Sequence, residues 1–169
     1  MSGGKDKECN ETDLVLKVIM PRGMTKTELL AAIYLFAERF NCNLDFQPHL
    51  TLGPYSSRMS NVIEDLVSAE LVKVSSIVLP DRRQIYVYES PIDLKGVVDV
   101  SEEEVKVANV LADHEDRELL IAAKTHFTSK RMNVKEDEDI VKQAKKFGWT
   151  LQADDVKKAK EILAQINLL

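Results

Sequence analysis

A chain of 169 residues, 44% hydrophobic and 30% charged, with a net charge of −5, lies in the ordinary globular range and can fill one core or two small cooperating ones. No apolar run approaches the roughly 18 residues that a membrane-spanning helix needs. Residues 1–11 mix Lys5 and Lys7 with Asp6, Glu8 and Glu11 and lack the apolar centre of a secretory signal, so they read as a flexible tail on a cytoplasmic protein. The two cysteines, Cys9 and Cys42, have neither zinc-site nor redox-pair spacing, which predicts two free thiols in a reducing compartment.

The first predicted helix runs from about Asp13 to Met20, with Leu14, Val15, Val18 and Ile19 on one side, and stops at Pro21-Arg22-Gly23. A second begins at Thr25-Lys26-Thr27-Glu28, a capping-box spacing, and continues through Leu29 to Phe40. Its apolar residues cover so much of the cylinder that it should be central to the core. Asn41 to Gln47 reads as a turn with a short extended piece, and Gly53-Pro54 forces another turn. From Ser57 to Glu70 the residues Met59, Val62, Ile63, Leu66 and Val67 fall at helical spacing on one stripe. Beyond it, Leu71–Leu79 and Gln84–Tyr88 are rich in Val, Ile and Tyr and are separated by Pro80-Asp81-Arg82-Arg83, the signature of a β-hairpin.

That order, helix, helix, helix and two-stranded wing, is the order of a winged helix-turn-helix over residues 12–90. Residues 91–100 read as a linker, and residues 101–169 as a helical carboxy-terminal domain. There Ser101-Glu102-Glu103-Glu104 opens a helix with Val105, Ala108, Leu111 and Ala112 as its stripe. Further helices are predicted over Arg117–Thr128, Asp137–Phe147 and Asp154–Asn167, with Trp149 between the last two. The expected fold class is therefore mainly α, in the α+β sense: a winged helix with one hairpin plus a carboxy-terminal helical part.

The pattern Lys26-Thr27-Glu28-Leu29-Leu30, then Gly53-Pro54-Tyr55-Ser56, then Leu119-Leu120-Ile121-Ala122-Ala123 and a final Leu168-Leu169, resembles small archaeal and bacterial winged-helix proteins of unassigned function that share a Tyr-Gly-Pro-Tyr-Ser turn. More distantly it is similar to Panacea-type antitoxin domains. Leu52 departs from the aromatic residue that usually precedes the glycine. The resemblance implies a winged-helix fold.

Catalytic chemistry finds no foothold in the sequence. His49, His114 and His126 have no metal-ligand spacing, and the acids around His114 read as a solvated interhelical loop. The six glycines form no phosphate-binding loop, and Ser56 and Ser57 stand where serines cap helices. No catalytic residue, metal or cofactor is expected. A nucleic-acid partner would call for a basic face, yet there are 8 basic against 10 acidic residues through Pro80 and 15 against 18 after it. Double-stranded DNA stays in view because Ser57, Arg58, Ser60 and Asn61 occupy the start of the presumed recognition helix and Arg82 and Arg83 the tip of the wing. The expected role is DNA-binding transcriptional regulation. The alternative is a protein-interaction module, antitoxin-like or adaptor, using the same helix and wing, and the long final helix offers an apolar stripe for a homodimer.

Overall fold

The computed structural model describes residues 9–91 and 98–169. Its first helix, α1 (Glu11–Ile19), is capped by Asn10, whose side-chain oxygen accepts from the Asp13 N–H at 3.1 Å. Cys9 is joined to Cys42 by a disulfide, with the two Cα atoms 5.7 Å apart. This corrects the expectation of free thiols and of a tail reaching residue 11. Separation along the chain misled, because α1 packs against the next helix and brings the segment before it to that helix's far end.

A two-residue strand, β1 (Met24–Thr25), leads into α2 (Lys26–Arg39). The capping box is present: Thr25 Oγ1 accepts from the Glu28 N–H at 3.3 Å and the Glu28 carboxylate accepts from the Thr25 N–H at 3.1 Å. Every residue from Glu28 to Ala37 is buried, as expected of a central helix.

The chain then makes a small hairpin, β2 (Gln47–His49) with β3 (Gly53–Tyr55), where the sequence suggested a short extended piece and turns but no strand pairing. Proline masks it: Pro48 lies opposite Pro54. Two residues without N–H groups can face each other only where the ladder asks for no hydrogen bond, so neither weakens the pairing. Next comes α3 (Ser57–Ser68), followed by β4 (Lys73–Val78) and β5 (Gln84–Glu89). These strands pair antiparallel from Lys73–Glu89 to Val78–Gln84, and β1 adds to the other side of β5 through Met24–Tyr88 and Thr25–Val87. The sheet order is β1-β5-β4.

Residues 92–97, most of the predicted linker, lie outside the described residues; on their carboxy-terminal side Val98 is already buried. Then follow α4 (Glu102–Ala112), α5 (Asp116–Met132), α6 (Asp137–Ala144) with a 3-10 turn at Lys145–Phe147, and α7 (Ala153–Gln165). The Ser101–Glu104 capping box forms, but Val107 rather than Val105 joins Ala108 and Leu111 in the buried stripe of α4. The protein is thus mixed α+β, with seven α-helices among the described residues.

One hydrophobic core runs from α1 to α7, so residues 101–169 do not keep a core of their own. α5 is the hinge of this arrangement, packing on α2, α6, α7 and β3. Gly53 shows how close the approach is: it sits at φ +75°, and a Cβ there would lie 2.8 Å from Leu120 Cδ1. Trp149 is fully buried, but not simply between the last two helices. Its ring meets Phe127 of α5 at 5.6 Å and Phe147 at 5.0 Å, and its indole N–H donates to the His49 carbonyl at 2.9 Å, tying the small hairpin to the carboxy-terminal helices. Arg22 makes a second tie. It pairs with Glu28 and donates to the Ala112 and His114 carbonyls, satisfying acceptors that the end of α4 leaves open. The apolar stripe of α7, Val156, Ala159, Ile162 and Leu163, is consumed inside the chain against α5 and α6, so it offers no free surface to a symmetry mate.

Candidate functional site

The helix and hairpin singled out by sequence share a framework. α3 starts where it does because Ser56, buried at its N-cap, accepts from the Met59 N–H at 3.1 Å. Its inner face, Met59, Ile63 and Leu66, goes into the core, which turns Ser57, Arg58, Asn61 and Asp65 to solvent. Ser60, grouped with them on sequence, is 8% exposed. It lies on the Met59–Ile63 side of the helix, three residues before the buried Ile63, and presents little surface for a contact, a relation that the polar character of serine concealed. Tyr55, just before the cap, is half-buried with its ring 5.4 Å from that of His49, so the Gly-Pro-Tyr-Ser turn is a packing element.

Each candidate cation has a definite place. Arg58 is 67% exposed at its side chain and pairs with Glu11 at the start of α1. Arg83 is 76% exposed and bonds Asp81 at 2.6 Å inside the wing turn. Arg82, in the left-handed region at φ +70°, donates its N–H to the Leu79 carbonyl at 2.8 Å, and the turn closes with the Leu79 N–H donating to the Arg83 carbonyl, also at 2.8 Å. Its side chain is exposed and has no ion-pair partner among the described residues. Exposed pairs of this kind contribute little, on the order of 0–1 kcal/mol, so Arg58 and Arg83 can exchange their carboxylates for another anion at small cost.

The acids on α3 differ in kind. Glu64 accepts from Lys26 at 2.8 Å and from the Tyr88 hydroxyl at 2.9 Å. The Lys26 bond holds its carboxyl below the usual range, while burial and the same carboxylate push the Tyr88 hydroxyl up to about 12. Its charge is thus already answered from within the fold. Asp65 and Glu70 lie further along and are exposed.

The wing also carries something that sequence reading passed over. Ile77, Val78 and Tyr86 are 50%, 67% and 52% exposed. Val78 and Tyr86 share a sheet face with Tyr88, whose hydroxyl bonds α3, so that face extends the α3 side of the molecule outward. The alternation of strand residues could have revealed this, had the end of α3 been known to fall short of the hairpin tip.

Each of the three histidines has a hydrogen-bond partner within the fold. His49 Nδ1 accepts from the Thr51 and Leu52 N–H groups and closes the small hairpin. His114 bonds Gln165 through Nε2, and His126 Nδ1 meets the Tyr34 hydroxyl at 2.8 Å. Burial keeps the His126 imidazole below its ordinary pKa. Among the described residues no group of three or more His, Cys, Asp or Glu side chains is placed to hold a metal ion, and no helix is long and apolar enough to cross a membrane. No family model matches the chain, and no curated protein matches it either.

Proposed function

We propose that residues 11–89 form a winged helix-turn-helix and that the protein is a DNA-binding transcriptional regulator, acting by recognition without catalysis. The observation that carries this reading is the element order α1-β1-α2-β2-β3-α3-β4-β5 with a β1-β5-β4 antiparallel sheet, in which the small β2–β3 hairpin fills the connection between the second and third helices and one face of α3 and the tip of the β4–β5 hairpin stay in solvent. In such a fold the start of the third helix enters the major groove and the wing touches the backbone. Here Ser57, Arg58 and Asn61 supply the first set of contacts and Arg82 and Arg83 the second. Arg58, Arg82 and Arg83 stand with Glu11 and Asp81, and Glu64 is paired with Lys26, while the exposed Asp65 and Glu70 lie further along, beyond the first turn of α3. A cytoplasmic location belongs to this proposal and requires the Cys9–Cys42 disulfide to persist in a reducing compartment.

A second reading has its own support. Val78 and Tyr86 on one face of the wing, with Ile77 exposed on the other, leave apolar surface at its tip that phosphate does not need and a protein surface does. Binding of random duplex DNA at two salt concentrations, with wild type and the Arg82→Ala/Arg83→Ala variant, separates the two. Neutralising phosphates releases counterions, so DNA binding should weaken steeply with salt, and the variant should bind less tightly with a shallower slope. No binding at low salt would overturn the regulator reading and leave the protein-partner one.

A further inference from the structure

The order β1-β5-β4 makes β4 an edge strand, and among the described residues no strand pairs with its outer side. The phase of its ladder is set at the hairpin end, where the Leu79 N–H donates to the Arg83 carbonyl at 2.8 Å and the Leu79 carbonyl accepts from the Arg82 N–H. Leu79 thus turns its backbone groups inward. In an antiparallel pair inward- and outward-facing residues alternate, so Ile77 and Ser75 also face β5, whereas Val78, Ser76 and Val74 aim their N–H and C=O groups away from it. Exposed edges are commonly blunted by charge, proline or a bulge. This one is not: Val74 to Val78 holds no charge and no proline, its register against β5 is unbroken, and Ile77 and Val78 stand in water.

The strand is its own complement. A second copy turned about a twofold axis at Ser76 sets Val74 against Val78, Ser76 against Ser76 and Val78 against Val74, so every outward-facing residue of β4 finds a partner. Neighbouring registers lose pairs. With the axis at Val78, Ser76 meets Pro80, which has no N–H; with the axis at Val74, it meets Val72, whose N–H already donates to the Leu66 carbonyl at 3.2 Å. In the Ser76 register the exposed Ile77 side chain faces the small Ser75 of the other copy. Lys73, the one charged residue of β4, falls opposite Leu79, so no like charges meet.

We propose that β4 pairs antiparallel with β4 of a second copy of this chain about a twofold axis at Ser76, joining the two sheets into one. Residues directly opposite across a strand pair share a sheet face, so both α3 helices come to the same side of the joined sheet. The pairing does not rest on what α3 binds, and failure to bind DNA leaves it standing. It is tested on the full-length, disulfide-bonded chain by sedimentation equilibrium from micromolar to millimolar concentration, with wild type, Ser76→Lys, Ser76→Glu and an equal mixture of the two variants. Wild type should pass from one chain to two as concentration rises, with amide exchange at Val74, Ser76 and Val78 slowing in step. Each variant sets like charges face to face and should associate at least about tenfold more weakly, while the mixture, with opposite charges facing, should regain the dimer. Misfolding cannot imitate that recovery. A single-chain mass at every concentration would overturn the proposal and leave the edge to a strand of another protein. So would a dimer that both variants leave unchanged, or a mixture that associates no better than either variant alone.

Discussion

Where α2 meets α5 the side chains are buried and held by rings and hydrogen bonds, whereas the outer half of the β4–β5 hairpin leaves Ile77, Val78 and Tyr86 in water. Both regions are rich in aromatic and branched residues, so composition does not separate them. What separates them is whether another element covers the face. α5 covers α2; nothing within the described residues covers the far end of the wing. Stability should therefore concentrate at the first region and partner recognition at the second, and substitutions in each should fail in different assays.

The largest effect is expected at the covered seam. Trp149→Ala removes a fully buried ring and the tie to His49, and should cost roughly 3–5 kcal/mol in urea unfolding. Cys9→Ser releases a loop closed across 33 positions and should cost roughly 2–4 kcal/mol, matched by wild type unfolded under reductant. Ser56→Ala loses the α3 cap and should cost about 1 kcal/mol. A pH series reads a smaller effect. His126 is held below its unfolded pKa of about 6.5, so the unfolded chain binds the proton first and stability should decline as pH falls through that range, with His126→Gln flattening the decline. Glu64 and Glu104, held low by their lysines among other groups, act in a separate window, their contribution vanishing as pH falls below about 4.3. The smallest change in stability, within about 0.5 kcal/mol, is expected for Arg82→Ala/Arg83→Ala at the uncovered wing. If that variant unfolds early, the wing belongs to the stable core and the contrast between the regions fails.

Much of the framework is legible without coordinates, because helix caps and apolar stripes are local. Thr25–Glu28 and Ser101–Glu104 state their boxes in four residues, and the α3 stripe repeats within three turns. What escaped depends on distant parts of the chain. The Cys9–Cys42 bond needs α1 folded back on α2, and the small hairpin needs its prolines in register. The anchoring of Trp149 on His49 spans a hundred positions. At the candidate face, residue type marked Ser57, Arg58 and Asn61, which do face solvent, but could not tell that Ser60 turns inward, or that Arg58 and Arg83 already hold carboxylates. Charge counts along the chain also missed that Lys26 and Tyr88 absorb the charge of Glu64.

The division between a covered seam and a binding face is tested most directly by mapping amide shifts of the labelled protein during titration with a random DNA duplex at low salt. The predicted result is perturbation at Ser57, Arg58, Asn61, Arg82 and Arg83 that fades as salt is raised, with α5 and α7 unmoved. Perturbation centred on α5–α7, or none at all, would contradict it.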